Sequence, residues 1–275
     1  MTPPSSTSRH NSSCAGQRRL RGYCRVRRDR NGLMARDLSD QTVFIAGASS
    51  GMGRATALAS ARAGARLILL GRHEAGLDET AASARAVGQQ ARTATVVADA
   101  SNADALADAV SEIDLSTVDV LINSVGTNIV ERAFDQLTAA SWESMLQVNL
   151  MAAFNLCKLF VPPMRAREEG LIINISSIAA RKPDRSGAAY QASKAGVLAL
   201  NHAIMEEEWA SGIRATAILP GMTDTPLLDR RPSPVSTEVR RAALQPEDIA
   251  EACLFVMRLP QRAHVSELTI QPSRR

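Results

Sequence analysis

The chain has 275 residues, 45% of them hydrophobic, which suits one large domain with a full core, or at most two small ones, and excludes a disordered chain. Its formal net charge is +4, yet residues 1–33 alone hold eight Arg and one Asp, a net of +7, which leaves residues 34–275 at −3. The alkaline pI of 9.2 therefore belongs to the tail and does not mark the globular body as a nucleic-acid binder.

The tail, residues 1–33, is rich in Ser and Arg, poor in acids, and without helical or strand periodicity, a composition that predicts disorder. Three readings fit it: an upstream extension with Met34 as a natural start, an organelle-targeting presequence, and a basic arm for polyanions. It lacks the apolar stretch of a secretory signal, and no apolar run approaches the ~20 residues needed to span a bilayer. Cysteines at 14, 24, 157 and 253 form no CxxC pair. They indicate neither a zinc site nor a disulfide frame, and a reducing, cytoplasmic setting is the expectation. The histidines show no ligand spacing, so no metal is expected.

The pattern predicts a basic, disordered extension over residues 1–39 and one domain over residues 40–275. Short apolar runs at Thr42 to Ala46, Ala65 to Leu70, Thr93 to Ala98, Val118 to Ile122, Leu171 to Ile175, Ile213 to Leu219 and Val265 to Ile270 alternate with helical stretches near 51–64, 73–88, 102–113, 138–160, 187–211 and 246–258. Strict alternation of this kind predicts an α/β fold, a doubly wound parallel sheet of about seven strands with helices on both faces, of Rossmann type.

The first run leads into Ala46-Gly47-Ala-Ser49-Ser50-Gly51-Met52-Gly53 and then a helix. Glycines at 47, 51 and 53 let backbone turn tightly, approach a pyrophosphate and pack helix on strand, while the helix N-terminus offers free N–H groups to the anion. At the end of the second run, where an NAD-preferring domain carries an acid for the ribose 2′-hydroxyl, the chain has Gly71-Arg72. A guanidinium there suits a 2′-phosphate, so NADP is favoured over NAD. The competing reading of Arg72 is a solvated strand-end charge, and Glu74 stands close by. Asp99, ending the third run, suits either an adenine amino group or the cap of the helix that follows. Asn123-Ser-Val-Gly126 ends the fourth run, with a glycine that lets backbone meet ligand. Asn149 lies inside a long apolar helix, where its amide needs partners. Either it bonds helix backbone, or it kinks the helix and holds a water that passes protons to Lys194.

Tyr190 and Lys194 are four residues apart in an Ala- and Leu-rich run, which puts both on one helix face. A cation ~5 Å from the phenol, at an effective dielectric of ~20, is worth roughly 3 kcal/mol, or about two pK units in favour of the phenolate before desolvation opposes it. Lysine is informative here, because the chain has only three, Lys158, Lys182 and Lys194, among its 32 Lys and Arg. Ser177 closes the fifth run, thirteen residues before Tyr190. From this segment alone an ordinary helix pair beside a turn serine fits equally well.

Together these residues resemble the classical type of the short-chain dehydrogenase/reductase family over roughly residues 40–270. The resemblance rests on Gly47-x-x-x-Gly51-x-Gly53, Asn123-x-x-Gly126, Asn149, Ser177, Tyr190-x-x-x-Lys194 and Pro220-Gly221. It implies a Tyr190 acid/base, a Lys194 that lowers the phenol pKa and binds the nicotinamide ribose, a Ser177 that positions the substrate oxygen, and an Asn149 that supports the proton relay. The implied cofactor contacts add Ser49, Ser50, Met52, Ala100, Thr223 and Thr225 to the glycines, Arg72, Asp99, Asn123, Pro220 and Gly221. The implied substrate is a small carbonyl compound or alcohol, and the family is commonly tetrameric, so a homo-oligomer, tetramer or dimer, is expected. The C-terminal stretch from Pro246 also resembles NADP-preferring members. Two departures stand out: Ala46 where the family usually has Thr, and Asn-Ser-Val-Gly for Asn-Asn-Ala-Gly. Both remove polar groups, so weaker loop order or cofactor affinity is expected. The rival from another class is a non-catalytic NADP-binding sensor or scaffold. A nucleotide-sugar epimerase or dehydratase usually needs a larger domain after residue 220 than the 55 residues present. Arg181, Arg230, Arg231, Arg240 and Arg241 border the expected pocket, either to favour an acidic substrate or as a solvated rim.

Overall fold

The computed structural model describes residues 26–28, 34–88 and 92–274. Two short strands, β1 (Val26–Arg28) and β2 (Met34–Arg36), pair antiparallel. They belong to a unit that ends at Arg36, and the second unit spans Asp37–Arg275. The disorder expected before Met34 otherwise falls on residues outside those described.

In the second unit the apolar runs form seven parallel strands: β3 (Thr42–Ala46), β4 (Arg66–Gly71), β5 (Thr93–Val97), β6 (Val120–Asn123), β7 (Gly170–Ile175), β8 (Ile213–Pro220) and β9 (Glu267–Ile270). Their order is β5-β4-β3-β6-β7-β8-β9. The order reverses between β3 and β6, and in open α/β sheets the crevice beyond the strand ends at such a point takes the ligand. The expected strands are all present, with ends within about two residues, the ordinary disagreement at element ends.

The central strands are buried on both faces, which is why they read as unbroken apolar runs. Along β3, Val43 and Ile45 face one helix layer, while Phe44 and Ala46 face the other. The first layer holds α1 (Gly51–Arg62), α2 (Glu74–Val87) and α8 (Pro246–Arg258). Alanines 55, 57, 59 and 61 of α1 lie in this core and let the helices approach closely. The second layer is built from α3 (Ala103–Ala109), α4 (Ala139–Leu146), α5 (Ala152–Arg167) and α6 (Ala188–Glu208). There the rings of Phe44 and Phe160 meet at 4.7 Å between centroids. A short helix, α7 (Thr237–Ala242), precedes α8.

Two corrections concern the long helix expected at 138–160. It runs on to Arg167 through Pro162 and Pro163, because Leu156, Phe160 and Met164 continue a buried face whose packing outweighs the lost backbone bonds. The continuous stretch Ala139–Arg167, with an 18-residue window of mean hydropathy 1.3, is also long and apolar enough to cross a membrane by length and composition. The sequence reading counted only unbroken apolar runs and missed it. In this fold the stretch carries part of the second core on its buried face.

A chain of buried amides crosses the sheet beneath the strand ends. Asn123 Nδ2 donates to Asn174 Oδ1 (3.1 Å), Asn174 Nδ2 to Asn201 Oδ1 (3.2 Å) and Asn201 Nδ2 to Ala215 O (3.2 Å), while Asn123 Oδ1 accepts from Val125 N (3.0 Å). Asn174 is the middle link and fully buried. Asn174→Ala strands a donor on Asn123 and an acceptor on Asn201. The expected cost is about 3 kcal/mol, read from the urea midpoint, and a loss below about 1 kcal/mol would mean the chain is dispensable.

Candidate active site

The turn after β3 needs its glycines for space. Gly47 has φ +81°, and a Cβ there would lie 2.8 Å from the Ser124 carbonyl, so the loop seats directly on the end of β6. A Cβ on Gly53 would collide with Gly47 O. Ser50, the N-cap of α1, makes no side-chain cap, and the first turn carries no acidic residue. The helix therefore presents N–H groups and an uncancelled positive end to an anion such as a pyrophosphate. Main chain fastens the loop here: Ser124 N donates to Ala46 O (2.9 Å), and Gly47 N and Ala48 N to Leu70 O (2.8 and 3.0 Å). Arg54 adds a clamp absent from the sequence reading. It donates to Ser49 O (2.8 Å), to Thr80 Oγ1 (3.0 Å) and to both carboxylate oxygens of Glu79 (2.9 Å each).

Above the strand ends lies a cleft of about 320 Å³. Its lining takes in twelve of the expected residues: Gly47, Ser49, Ser50, Gly51, Met52, Arg72, Asp99, Ala100, Gly126, Tyr190, Lys194 and Thr225. Thr225 also packs against Gly51, whose added Cβ would sit 3.4 Å from Thr225 Cγ2. The other expected residues stand behind the lining. Gly53 is used for helix packing, and Asn123 belongs to the amide chain. Pro220 is buried at the end of β8, and Gly221 turns toward Pro272 and Gln271 of the C-terminal segment. Thr223 is buried, its hydroxyl donating to Gly221 O (3.1 Å). None of these five is part of the cleft lining. Thr127 lines the cleft without having been expected there, and Arg230, expected to border the pocket, lines it too; Arg230 Nη1 donates to Thr127 Oγ1 across it (3.0 Å).

At one end Arg72 Nη1 stands 3.6 Å from Asp99 Oδ2, both side chains about half exposed. Asp99 also accepts from Ser101 N (2.9 Å) and Ser101 Oγ (2.7 Å). Burial pushes its carboxyl up, but the Ser101 bonds and the Arg72 charge outweigh this and hold it below the usual range. The capping reading of Asp99 fails, because Asn102 caps α3 by accepting from Ala105 N (3.1 Å).

At the other end α6 carries Tyr190 and Lys194. The Lys194 ammonium donates to Ile175 O (3.2 Å) and lies 5.9 Å from the Tyr190 ring centre. Gly126 makes room for it, since a Cβ there would sit 2.9 Å from Lys194 Nζ. Ser177 caps a short turn, accepting from Ala179 N (3.1 Å), and its side chain bonds Tyr190. Asn149 sits in a π-helical interruption, Gln147–Met151, between α4 and α5. The amide therefore stands in a π-helical turn of an otherwise continuous helix. The amide bonds neither its own helix backbone nor Lys194. Its Oδ1 accepts from Thr127 N (2.7 Å), and Nδ2 donates to Thr127 O (3.1 Å) and Ser193 Oγ (3.0 Å).

The expected lowering of the phenol pKa by Lys194 is not what this site has. Burial raises Tyr190 above its ordinary value, outweighing the Ser177 bond and the charges of Arg132 and Arg231, with Asp184 adding to the rise. Burial also brings Lys194 down to about 8. Burial, and not the neighbouring amine, thus sets the direction of the phenol's shift. The expectation from spacing took the attraction at an effective dielectric of ~20, before desolvation, and here desolvation is the larger effect.

The family model for short chain dehydrogenases matches residues 41–235. An uncharacterized oxidoreductase of Staphylococcus saprophyticus is 32% identical over 238 residues, 86% of this chain and 99% of that protein. Among solved structures, a metagenomic short-chain oxidoreductase in complex with NADP is 29% identical with a TM-score of 0.74, covering 87% of this chain and 100% of that one. The closed form of a serine dehydrogenase complexed with NADP+ is 25% identical with a TM-score of 0.76, covering 86% and 96%. The chain belongs to the short-chain dehydrogenase/reductase family. It is an oxidoreductase with a Rossmann-type fold and a nicotinamide nucleotide site.

Proposed function

We propose that this protein is an NADP(H)-dependent oxidoreductase that interconverts a secondary alcohol and its carbonyl compound, with Tyr190 as the acid/base. The observation that carries the reading is a single cleft with Arg72 at one end and Tyr190, bonded to Ser177, beside Lys194 at the other. The glycine turn and the open end of α1 suit a pyrophosphate, Arg72 suits a 2′-phosphate, and Lys194 suits ribose hydroxyls. When bound, the nicotinamide supplies or accepts the hydride. Tyr190 gives or takes the proton at the substrate oxygen, and Ser177 holds that oxygen by a hydrogen bond. Asn149 fixes the Thr127 segment and Ser193, and so the wall on which Lys194 rests. Two similar structures contain NADP, which supports the choice of dinucleotide. Exposed Trp142, Met151 and Phe154 on α4 to α5 support a homo-oligomer, and the free, buried Cys157 and Cys253 accord with a cytoplasmic setting.

Initial rates against ketones, aldehydes, oxo acids and steroids, with NADPH and NADH in parallel, test the reading. Turnover is expected with NADPH on at least one class. Arg72→Ala is expected to raise the Kd for NADPH roughly tenfold or more, as for loss of a charged hydrogen bond, and to shift the Kd for NADH less than about threefold. Equal losses with both dinucleotides would remove Arg72 as the selector.

A further inference from the structure

Around Tyr190 the arginines divide into two groups. Arg181 is paired with Glu267, and Arg240 with both Asp224 and Asp229. Three others have no carboxylate in ion-pair contact among the described residues. Arg132 is only 8% exposed, yet its Nε donates to Ile129 O (2.8 Å) and its Nη2 to Arg230 O, both neutral carbonyls. Arg230 donates to Thr127 Oγ1 and Asn128 O, again neutral. The guanidinium of Arg231 is exposed and makes no hydrogen bond or ion pair among the described residues.

Arg132 packs against Gly187, three residues before Tyr190, where an added Cβ would lie 2.8 Å from Arg132 Cβ. Arg132 and Arg231 both act on Tyr190, and Arg231 also repels Arg132. Among the described residues the acid acting on Arg132 and Tyr190 is Asp184, which is exposed and whose Oδ1 already accepts from Ser186 N (2.8 Å) and Ser186 Oγ. Burying a guanidinium beside a second one, with only neutral acceptors, is unfavourable unless an anion completes the site. The Arg132 to Arg230 bond holds the two segments together, and the cleft reaches this corner through Thr127, Tyr190 and Arg230.

We propose that this corner is a carboxylate subsite, and that the substrates are small hydroxy acids and the corresponding oxo acids. Arg132 and Arg231 hold the carboxylate while the reacting oxygen lies at Tyr190. The proposal deepens the alcohol–carbonyl reading above and rests on it for the placement of that oxygen. Guanidinium forks match a carboxylate with two parallel bonds, and a neutral ester would leave both cations uncompensated.

The test compares 2- and 3-hydroxybutyrate with their methyl esters, using NADP+, in the full-length wild type, Arg231→Ala and Arg132→Lys. Calorimetric titration with butyrate, with and without NADP+, runs beside the kinetics. In the wild type kcat/KM for one acid is expected to exceed that for its ester at least roughly tenfold, and either variant is expected to cut that ratio by about tenfold, the loss for one charged hydrogen bond. Arg231 is exposed, so its removal does not endanger the fold. Equal use of acid and ester, or a ratio unmoved in Arg231→Ala, overturns the subsite and leaves the alcohol–carbonyl reading standing. Butyrate binding that weakens in Arg231→Ala without any turnover supports the subsite and overturns the catalytic reading. Absence of both turnover and butyrate binding overturns the two together.

Discussion

Tyr190→Phe is expected to lower kcat by roughly 10²- to 10⁴-fold, the range that a positioned acid–base group contributes, with the Kd for NADPH changed by less than about threefold. Phenylalanine keeps the ring that stands 5.9 Å from Lys194 Nζ and removes only the oxygen bonded to Ser177. The loss should therefore fall on kcat and kcat/KM alike, as for an interaction made in the transition state. Because burial raises the phenol above its ordinary value, the group is protonated at neutral pH and ready to donate. Carbonyl reduction then needs no prior ionisation, whereas alcohol oxidation needs the phenolate. The oxidation rate of the wild type should accordingly rise with pH through the neutral and alkaline range, and the reduction rate should not. A kcat within about tenfold of wild type in Tyr190→Phe would take the phenol out of the chemistry.

Backbone architecture was legible in this chain because both signals behind it are local. Unbroken apolar runs such as Leu67 to Leu70 are what a strand buried on both faces requires, and Gly47 and Gly53 stand where a Cβ meets backbone. Side-chain networks were not legible, because their partners lie far apart along the chain. Asn174 sits inside an apolar run and Asn201 inside a helix, and nothing in either segment says that they meet across the sheet. Arg132 lies in an irregular stretch with no periodicity, and only the fold brings it under Arg230 and beside Tyr190. Asn149 was noticed for its apolar neighbours, but its partners, Thr127 and Ser193, come from 22 and 44 residues away. The error at Lys194 has a different origin. Spacing gives the distance between two groups but not the dielectric around them, and here burial decides the sign of the phenol's shift.

Lys194→Met is expected to abolish turnover and yet stabilise the ligand-free protein by about 3 kcal/mol at pH 7. The lysine is 4% exposed, with one bond to Ile175 O and a pKa brought down from 10.5 to about 8. The unfolded chain holds the proton more tightly than the folded one between pH 8 and 10.5, so wild-type stability gains from this residue as pH rises through that window. Below about pH 8 both states are protonated and the full penalty is present. Methionine has similar length without charge, so the difference in stability between variant and wild type should be largest at pH 7 and shrink toward zero by about pH 10.5. Urea midpoints at pH 7, 9 and 10 measure it. A difference that does not change with pH would mean that Lys194 titrates normally and that burial has not moved it. The expected pattern would instead show a buried cation kept at a cost in stability, as happens where an active site needs a charge that the fold alone would discard. Here the need is the one that the hydroxyls of a dinucleotide ribose would create.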